Sequence, residues 1–413
     1  MRSETLAIDF GTSNSAVAAP SAQGARRIAV EAGAETLPTA VFFPAGGGPM
    51  RIGNAATDAL IAGEAGRYMR SLKSVLGLPL AHEARPIGGR SRTLAGVIAD
   101  FLAELRGRAE AATGRRFRRA FSGRPVRFHT ADPAKDAQAE ADLRACYLAA
   151  GFEEVAFLAE PEAAAIANHG LGQAGTIGLI VDIGGGTSDF SVFQSAGARL
   201  EILANHGIRL GGVDFDHAVA MTHAMPKLGL GGDLRRDFGD GFLPVPPAPY
   251  IDLATWAKIP FLYTPKMRRM AAEMARLAVD RPAVDRYVRV LEWELGHDLA
   301  FAVEHGKIAA NAGGPPALID MGFIEQDLSA AVTAASLAAA LTEHRARLGA
   351  AAAETLALAG IAPGAVGRVI LVGGSSLMAF VATDLRALCP HAEILRSAAF
   401  TAVIDGLAIA AGR

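Results

Sequence analysis

A duplicated glycine-rich segment constrains the fold more than any other feature of this sequence. Residues 6–19 read LAIDFGTSNSAVAA, and residues 179–193 read LIVDIGGGTSDFSVF. In both, an apolar run carries an Asp, a Gly-containing turn follows, and apolar residues then alternate with polar ones. Alternation on both sides of the turn predicts strand–turn–strand, whereas Walker and dinucleotide-binding loops need a helix directly after the glycines. The duplication therefore predicts two related lobes.

A third glycine-rich turn lies near the end of the sequence, in RVILVGGSSLMAFVATDLRAL. A strand over 369–372 is expected before it, and a helical pattern follows it. The amides at the start of that helix can bind an anion or line a nucleotide cleft.

Helical patterns fill much of the remaining chain. A helix is expected over Pro133–Ala150, with Asp132 as its N-cap and Gly151 just after its end. Another helix, opened by Pro161, follows the predicted strand VAFLAE. A mostly helical insertion is expected over 219–311, and a long Ala-rich helix over Ser336–Leu358.

Composition excludes several classes of protein. The chain has 413 residues, too many for one compact core, and it is 51% hydrophobic and 20% charged, which is typical of globular proteins. A net charge of −2 gives no broad positive field for nucleic acid or anionic lipid. Cys146 and Cys389 offer neither metal-ligand spacing nor a disulfide framework. With no signal-peptide pattern at the start, we expect a soluble cytoplasmic protein without nucleic-acid or membrane partners.

The two hairpin turns have the chemistry of a phosphate site. Consecutive backbone N–H groups form a concave anion site, and the absence of Cβ atoms lets a phosphate approach closely. One such hairpin is usually only a tight turn, but two with the same residue order favour a two-sided polyphosphate site. Asp9 and Asp182 head equivalent turns and would hold Mg²⁺ through water. The hydroxyls of Thr12, Ser13 and Thr187 can donate to phosphate oxygens.

Two charged residues are further candidates. Glu160 ends the predicted strand VAFLAE, where a carboxylate can orient an attacking water, although an ordinary helix-start acid would look the same. Lys73, in SLKSVLG, can balance charge on a γ-phosphate, although a lysine in such a segment is more often simply on the surface. Spacing alone singles out neither residue.

Taken together, these segments resemble the ATPase domain of the heat-shock protein 70 (DnaK-type) chaperones, within the actin/sugar-kinase superfamily. IDFGTSNS and VDIGGGTSDFSVF resemble the two phosphate motifs, and AEPEAAAIA and SLKSVLG resemble the segments that carry the catalytic Glu and Lys. GGVDFD resembles the segment after the second phosphate motif, and VEHGKIAAN and LVGGSS resemble the adenosine-contacting segments. The motifs occur in family order and span residues 5–411. GRPVRF and MPKLGLGG are most similar to the YegD subgroup.

The resemblance implies an α/β, actin-like ATPase (ribonuclease H-like) fold, with two lobes and nucleotide in the cleft between them. Lobe I is expected over 1–175 plus a C-terminal helix over 397–413, with a small insertion at about 38–93. Lobe II is expected over 176–396, with the helical insertion at about 219–311.

The resemblance also implies ATP or ADP and Mg²⁺ as cofactors, and it assigns roles to residues. Asp9 and Asp182 would hold the hydrated Mg²⁺, and Lys73 and Glu160 would position the hydrolytic water with support from Asp189. The residues implied to bind nucleotide are Gly11, Thr12, Ser13, Asn14, Gly184, Gly185, Gly186, Thr187, Gly211, Gly212, Glu304, Lys307, Gly373, Gly374 and Ser375. Ile308 and Leu377 stand where the chaperones have two adenine-stacking arginines. Aliphatic side chains can cover a purine without the guanidinium stacking, so the base preference stays open.

The family pattern ends with the ATPase domain, so we expect an Hsp70-like ATPase without a peptide-binding domain and with an unidentified protein partner or client. Hydrolysis of ATP to ADP and phosphate would be coupled to lobe closure. One alternative is a nucleotide-gated switch with negligible turnover. Another is a filament-forming relative of the bacterial actins, against which Lys73 and the insertion argue. A sugar or acid kinase would need a separate carboxylate base, and Glu160 is the one candidate.

Overall fold

The structure is a computed structural model that describes residues 4–21, 24–31, 33–129, 132–167, 175–195, 200–237, 239–396 and 401–412. The chain divides into two units, one formed by residues 1–212 with 345–413 and the other by residues 213–344. The lobe boundaries expected from the sequence stay a prediction.

The strands, in chain order, are β1 (Thr5–Phe10), β2 (Asn14–Ser21), β3 (Gly24–Arg27), β4 (Thr36–Pro38), β5 (Ala40–Pro44), β6 (Arg51–Ile52), β7 (Gly66–Arg70), β8 (Arg85–Ile87), β9 (Arg90–Arg92), β10 (Arg119–Arg124), β11 (Glu154–Ala159), β12 (Ile177–Ile183), β13 (Ser188–Ser195), β14 (Leu200–Ile208), β15 (Asp233–Arg235), β16 (Phe242–Pro244), β17 (Ala317–Asp320), β18 (Ser329–Val332), β19 (Arg368–Val372) and β20 (Glu393–Arg396).

The helices are α1 (Asn54–Ile61), α2 (Leu94–Thr113), α3 (Pro133–Ala149), α4 (Glu160–Ala167), α5 (Gly212–Val219), α6 (Ala248–Leu253), α7 (Pro265–Leu277), α8 (Arg281–Glu292), α9 (Gly296–Asn311), α10 (Ala334–Ala340), α11 (Thr342–Leu358), α12 (Ala379–Leu388) and α13 (Ala402–Ala411). In the part of the chain that the structure describes, no helix is both long enough and apolar enough to span a membrane.

Two sheets in the first unit repeat one topology. The first has the order β11-β10-β1-β2-β3, with β4 paired to β2, and the second has the order β14-β13-β12-β19-β20. In each, a hairpin (β1–β2 or β12–β13) is antiparallel, and its first strand pairs on the other side with a parallel strand (β10 or β19). The strand–turn–strand prediction is therefore confirmed for both glycine-rich segments, and the α/β class is confirmed with it.

Small side chains build the core around α4 and α13. This cluster includes Ala163, Ala164 and Ala165 of α4 and Ile404 and Leu407 of α13, all almost fully buried. A Cβ atom on Gly406 would lie 1.7 Å from the carbonyl oxygen of Ala163, so α13 approaches α4 at a distance that only glycine allows. The two helices pack backbone to backbone at this point.

The helix predictions outside the core are partly confirmed. The side chain of Asp132 accepts from Lys135 N at the start of α3, as an N-cap does. The predicted C-terminal helix is observed as α13, while residues 397–400 and 413 lie outside the described residues.

The single helix expected over Ser336–Leu358 is wrong, because the chain forms α10 and α11 with a break at Leu341. Leu341 has φ −99° and ψ 7°, which are not helical values. The Thr342 hydroxyl also donates to the carbonyl oxygens of Ala338 and Ala339, competing locally with the regular helix pattern.

The second unit is mostly helical, as expected for the insertion, but it also contains two short hairpins, β15–β16 and β17–β18. The first hairpin lies within the stretch rich in Gly, Pro and Asp that separates the predicted helices. The rings of Tyr250 and Tyr287 pack at an angle of 39°, with centroids 4.7 Å apart, in the core of this unit.

Candidate functional site

The turns of the two hairpins have the same internal hydrogen bond. Gly11 N donates to the carbonyl oxygen of Asn14, and Gly184 N donates to that of Thr187, both at 3.0 Å. A Cβ on Gly11 would lie 2.4 Å from the Asn14 carbonyl oxygen, so this turn requires glycine. The order Asp-x-Gly-x-x in the sequence thus specifies the same local geometry twice.

The two turns face each other across the first unit. A Cβ on Gly185 would lie 2.4 Å from Ser13 Oγ, and a Cβ on Gly186 would lie 2.9 Å from Thr12 Oγ1. The hydroxyls of the first turn therefore lie against the bare backbone of the second. The two turns predicted to bind phosphate therefore meet in space, and phosphate binding itself stays a prediction.

Gly211 and Gly212 pack onto the second turn. A Cβ on Gly211 would lie 2.6 Å from Gly185 C and from Gly186 N, and Gly212 N donates to Gly184 O at 3.0 Å. A backbone-to-backbone approach this close excludes a side chain. Gly211 and Gly212, both predicted to bind nucleotide, therefore lie directly against the second glycine turn.

The third glycine-rich turn lies beside Gly212 and Asp182. A Cβ on Gly212 would lie 2.4 Å from Ser375 Oγ. Gly373 has φ +80°, and a Cβ there would lie 2.6 Å from Asp182 Oδ1. Gly374–Leu377 form a 3-10 turn before α12, and the Leu377 side chain is partly exposed.

Carboxylates are concentrated beside these turns. Asp9 lies on β1 and Asp182 on β12, and Asp189 is directly opposite Asp182 in the β12–β13 pair. Asp182 and Asp189 are buried, and Asp9 is half-buried. Like charges directly opposite each other destabilise a sheet, so this placement favours a functional role over a structural one.

The pKa values of Asp9, Asp182 and Asp189 are all raised by burial and by nearby negative charges. Burial, reinforced by the nearby Glu160 charge, raises the pKa of Asp9 to about 7, and the Lys73 ammonium opposes the rise. Burial and the charges of Glu160, Asp189 and Asp9 also hold the pKa of Asp182 well above its usual range. The pKa of Asp189 is raised by burial and Glu160. The site therefore has an excess of negative charge.

Lys73 and Glu160 form a buried ion pair. Lys73 lies on the 3-10 turn Leu72–Val75, and Glu160 is the first residue of α4. Lys73 Nζ lies 2.6 Å from Glu160 Oε1, and the two side chains are 6% and 13% exposed. The ordinary surface lysine that the sequence alone favoured is therefore not what the structure shows.

Asp189 is fixed by its surroundings. Its Oδ1 accepts a hydrogen bond of 2.6 Å from Val126 N, and a Cβ on Gly207 would lie 2.5 Å from the same oxygen. Val126 follows Pro125, so the end of β10 is held directly to this carboxylate. No spacing in the sequence signals this contact.

The carboxylates suit a hydrated Mg²⁺. Oxygen ligands and excess negative charge are what Mg²⁺ requires, and it usually keeps several of its waters. Among the residues that the structure describes, no group of three or more His, Cys, Asp or Glu side chains converges as a ligand set. Asp9 and Asp182 supply oxygen ligands of the kind that Mg²⁺ takes, and their role in metal binding stays a prediction.

Three of the predicted nucleoside residues lie on α9 in the second unit. Lys307 is buried, and its Nζ lies 2.5 Å from Asp216 Oδ1, while Trp256 Nε1 donates to Asp216 Oδ2 at 3.3 Å. Glu304 is half-buried and Ile308 is 54% exposed. Asp216 is the last residue of GGVDFD, yet no pattern in the sequence pairs it with Lys307. Their role in nucleotide binding stays a prediction.

Comparison with known proteins finds similarity to Hsp70 proteins. The family model described as "Hsp70 protein" matches residues 84–229. The chain is similar to a "Chaperone protein HscA homolog" of Pseudomonas putida, with 36% identity over 250 residues, and to the "Chaperone protein HscA" of Edwardsiella ictaluri, with 38% identity over 238 residues. The chain is thus similar to Hsp70-family proteins over these residues. Hsp70 proteins have the actin-like ATPase fold, in agreement with the two sheets of matching topology.

The match to Hsp70 relatives is partial on both sides. The aligned part covers 55% and 52% of this chain but only 38% and 36% of the two relatives, so the chain spans well under half of their lengths. The Hsp70 family model covers Glu160, Asp182 and Gly211, whereas Lys73 and the first turn precede the matched residues. The contacts in the first unit are what place Lys73 with Glu160.

Proposed function

We propose that this chain binds Mg-ATP and hydrolyses ATP to ADP and phosphate. The observation that carries the proposal is the buried Lys73–Glu160 pair, which acts electrostatically on the two aspartates that head the facing glycine turns. A structural ion pair would have little reason to be buried among three further carboxylates with raised pKa values.

In this proposal the two turns hold the phosphates. Gly11, Thr12, Ser13 and Asn14 approach from one side. The backbone of the second turn approaches from the other, with the Thr187 hydroxyl as a further donor. Because the glycines carry no Cβ, phosphate oxygens can reach the backbone N–H groups. The close packing of the turns supports this arrangement.

Asp9 and Asp182 would hold the hydrated Mg²⁺. When bound, this ion supplies positive charge to the phosphate oxygens. The raised pKa values of the two aspartates support the assignment, because they show that the folded chain places negative charge where a cation would offset it.

Lys73 and Glu160 would position the attacking water. Glu160 accepts a hydrogen bond from the water, and the Lys73 ammonium orients Glu160 and neutralises charge near the γ-phosphate. Asp189, held by Val126 N, would support the water from the β13 side. The rate gain would come from positioning and preorganised electrostatics.

The nucleoside would be bound by Gly211, Gly212, Gly373, Gly374 and Ser375. The resemblance also assigns Glu304, Lys307, Ile308 and Leu377 to the nucleoside. Lobe closure around the nucleotide would be the output that a partner or client protein senses. The similarity to Hsp70 proteins supports a chaperone-like role in the cytoplasm, and the segment GRPVRF supports the YegD subgroup.

Single-turnover ATP hydrolysis tests the proposal, with wild type, Lys73→Ala and Glu160→Ala compared at saturating Mg-ATP. Both variants should hydrolyse about 100-fold more slowly or worse, while nucleotide binding changes little. Lys258→Ala is the matched control, because Lys258 also lies 2.6 Å from a carboxylate, that of Asp252, but is 48% exposed.

Other outcomes point to other functions. A wild type that binds Mg-ATP but hydrolyses it no faster than the two variants would contradict the enzyme proposal and favour a nucleotide-gated switch. ATP-dependent pelleting at high speed would favour a filament.

A further inference from the structure

The turn that carries Lys73 has an unusual backbone at both ends. Ser71 has φ 60° and Gly77 has φ 76°, both in the left-handed region. For Ser71, which carries a Cβ, this conformation is unfavourable and persists only when the surroundings impose it. The position of Lys73 therefore depends on whatever holds this turn.

Three side chains hold the turn from outside. His129 Nε2 lies 2.7 Å from the Leu76 carbonyl oxygen, and Arg209 Nη2 donates to the Ser74 carbonyl oxygen at 3.1 Å. Asp142 Oδ2 accepts from Gly77 N at 2.9 Å. All three belong to other elements of the first unit, so the turn is held against the segment after β10, the end of β14, and α3.

Arg209 and His129 also contact each other, and this contact decides the tautomer of the imidazole. Arg209 Nη1 lies 3.3 Å from His129 Nδ1. A guanidinium is always protonated and can only donate, so Nδ1 must be the acceptor. Nε2 then carries the hydrogen and donates it to the Leu76 carbonyl oxygen. The result is a directed chain from Arg209 through His129 to the Lys73 turn.

The same arginine adjoins the phosphate turn. Arg209 lies two residues before Gly211, whose backbone packs against the Gly185–Gly186 peptide. The backbone from Arg209 to Gly211 therefore links the second glycine turn to a side chain that is hydrogen-bonded to the turn that carries Lys73.

We propose that Arg209 and His129 are positioning residues for Lys73. Arg209 fixes the Nε2–H tautomer of His129. The two side chains then hold the carbonyl oxygens of Ser74 and Leu76, so that Lys73 stays against Glu160. This inference rests on the proposed function for the role of Lys73 in hydrolysis, but the hydrogen-bond chain itself can be tested without turnover.

The tautomer is tested by long-range ¹H–¹⁵N spectra of the full chain labelled with ¹⁵N-histidine, at a pH where the imidazole is neutral. His129 is assigned from the signal lost in His129→Gln. We expect the Nε2–H tautomer in wild type and a mixture of tautomers in Arg209→Met. An Nδ1–H tautomer in wild type, or one unchanged in Arg209→Met, overturns the proposal.

The effect on Lys73 is tested by single-turnover hydrolysis in His129→Leu, Arg209→Met and His129→Gln. Hydrolysis by the first two variants should be about 10- to 100-fold slower, with little change in the ATP dissociation constant. A small displacement of a positioned catalytic group lowers the rate of the chemical step strongly. His129→Gln should recover most of the rate, since its amide can donate to Leu76 and accept from Arg209. His206→Leu is the control, because His206 lies on β14, three residues before Arg209, but its Nε2 lies 3.6 Å from the Glu354 carboxylate.

The outcomes separate this inference from the proposed function. If wild type hydrolyses ATP, Lys73→Ala does not, and both positioning variants match wild type, the inference fails while the function stands. If wild type shows no hydrolysis, the proposed function fails. Amide exchange over Ser74–Gly77 then decides the inference: faster exchange in both variants but not in His206→Leu supports it, and unchanged exchange overturns it.

Discussion

Lys73 Nζ lies 2.6 Å from Glu160 Oε1, and both side chains are almost completely removed from solvent. This ammonium opposes the raised pKa values of Asp9, Asp182 and Asp189, whereas Glu160 adds to all three. The two members of the pair therefore have opposite effects on the charge balance of the site.

This asymmetry predicts unequal effects on stability. Lys73→Met should lower the free energy of unfolding by about 3–5 kcal/mol, because it leaves buried carboxylates without their cation. Glu160→Gln should change it by only about 1 kcal/mol, since the amide can still accept from Lys73 and one repelling charge is gone. Urea denaturation at neutral pH without Mg²⁺ or nucleotide measures both, with the exposed Lys258→Met as control. Equal losses in the two variants would contradict the prediction.

The raised pKa of Asp9 predicts that the ligand-free protein loses stability as pH rises. Between the ordinary value of 3.8 and about 7, the folded chain keeps a proton that the unfolded chain has released. The free energy of unfolding should therefore fall with increasing pH in this window, by at most about 1.4 kcal/mol per pH unit for each such proton. Asp9→Asn should flatten the slope without abolishing it, because Asp182 and Asp189 are also raised.

Urea denaturation between pH 5 and pH 7 checks this prediction. Adding Mg²⁺ should flatten the wild-type slope as well, if the ion replaces the proton. Identical slopes for wild type and Asp9→Asn would show that Asp9 holds no extra proton.

Backbone contact at the second turn predicts that Gly211→Ala is destabilising. The new methyl group would lie 2.6 Å from backbone atoms of Gly185 and Gly186, which cannot move aside as a side chain can. We expect a loss of about 1–3 kcal/mol, accompanied by weaker ATP binding. In the matched control, Gly107→Ala in α2, a Cβ would meet nothing within 4 Å, and this change should add about 1 kcal/mol of stability. A tolerated Gly211→Ala would refute the close packing.

The buried pair in the second unit predicts a loss that a second substitution restores. Lys307→Met should lower the free energy of unfolding by about 3–5 kcal/mol, because it strands the buried Asp216 carboxylate. The double variant Lys307→Met with Asp216→Leu should be more stable than Lys307→Met alone, since no buried charge is left. Urea denaturation of the two variants decides this, and a double variant no better than the single would argue against the pair.

Much of the site was predictable because it depends on local sequence. The turns at Gly11 and Gly184 are each closed by a hydrogen bond to the residue three positions later, so a short motif contains the whole geometry. The same holds for Asp132 at the start of α3. Where the hydrogen bonds of a turn or a helix start join residues close in sequence, the sequence pattern is sufficient to predict the local structure.

The rest depends on contacts between distant residues that no pattern records. Lys73 and Glu160 are separated by 87 positions, and Arg209 and His129 by 80. The break at Leu341 was missed because an Ala-rich run favours helix throughout and conceals a local competition for carbonyl oxygens. Lys73 is buried because elements distant in sequence pack around it, and the spacing of residues in the sequence does not predict such packing.

The contact of Gly406 with Ala163 has a consequence for biosynthesis. Helix α4, which begins at Glu160, packs against α13, and α13 follows the other described helices and strands. A nascent chain therefore carries the Glu160 helix long before the helix that packs against it has been made. Until α13 has been translated, α4 lacks one of its packing surfaces, so we expect Glu160 to reach its final position only after α13 is available.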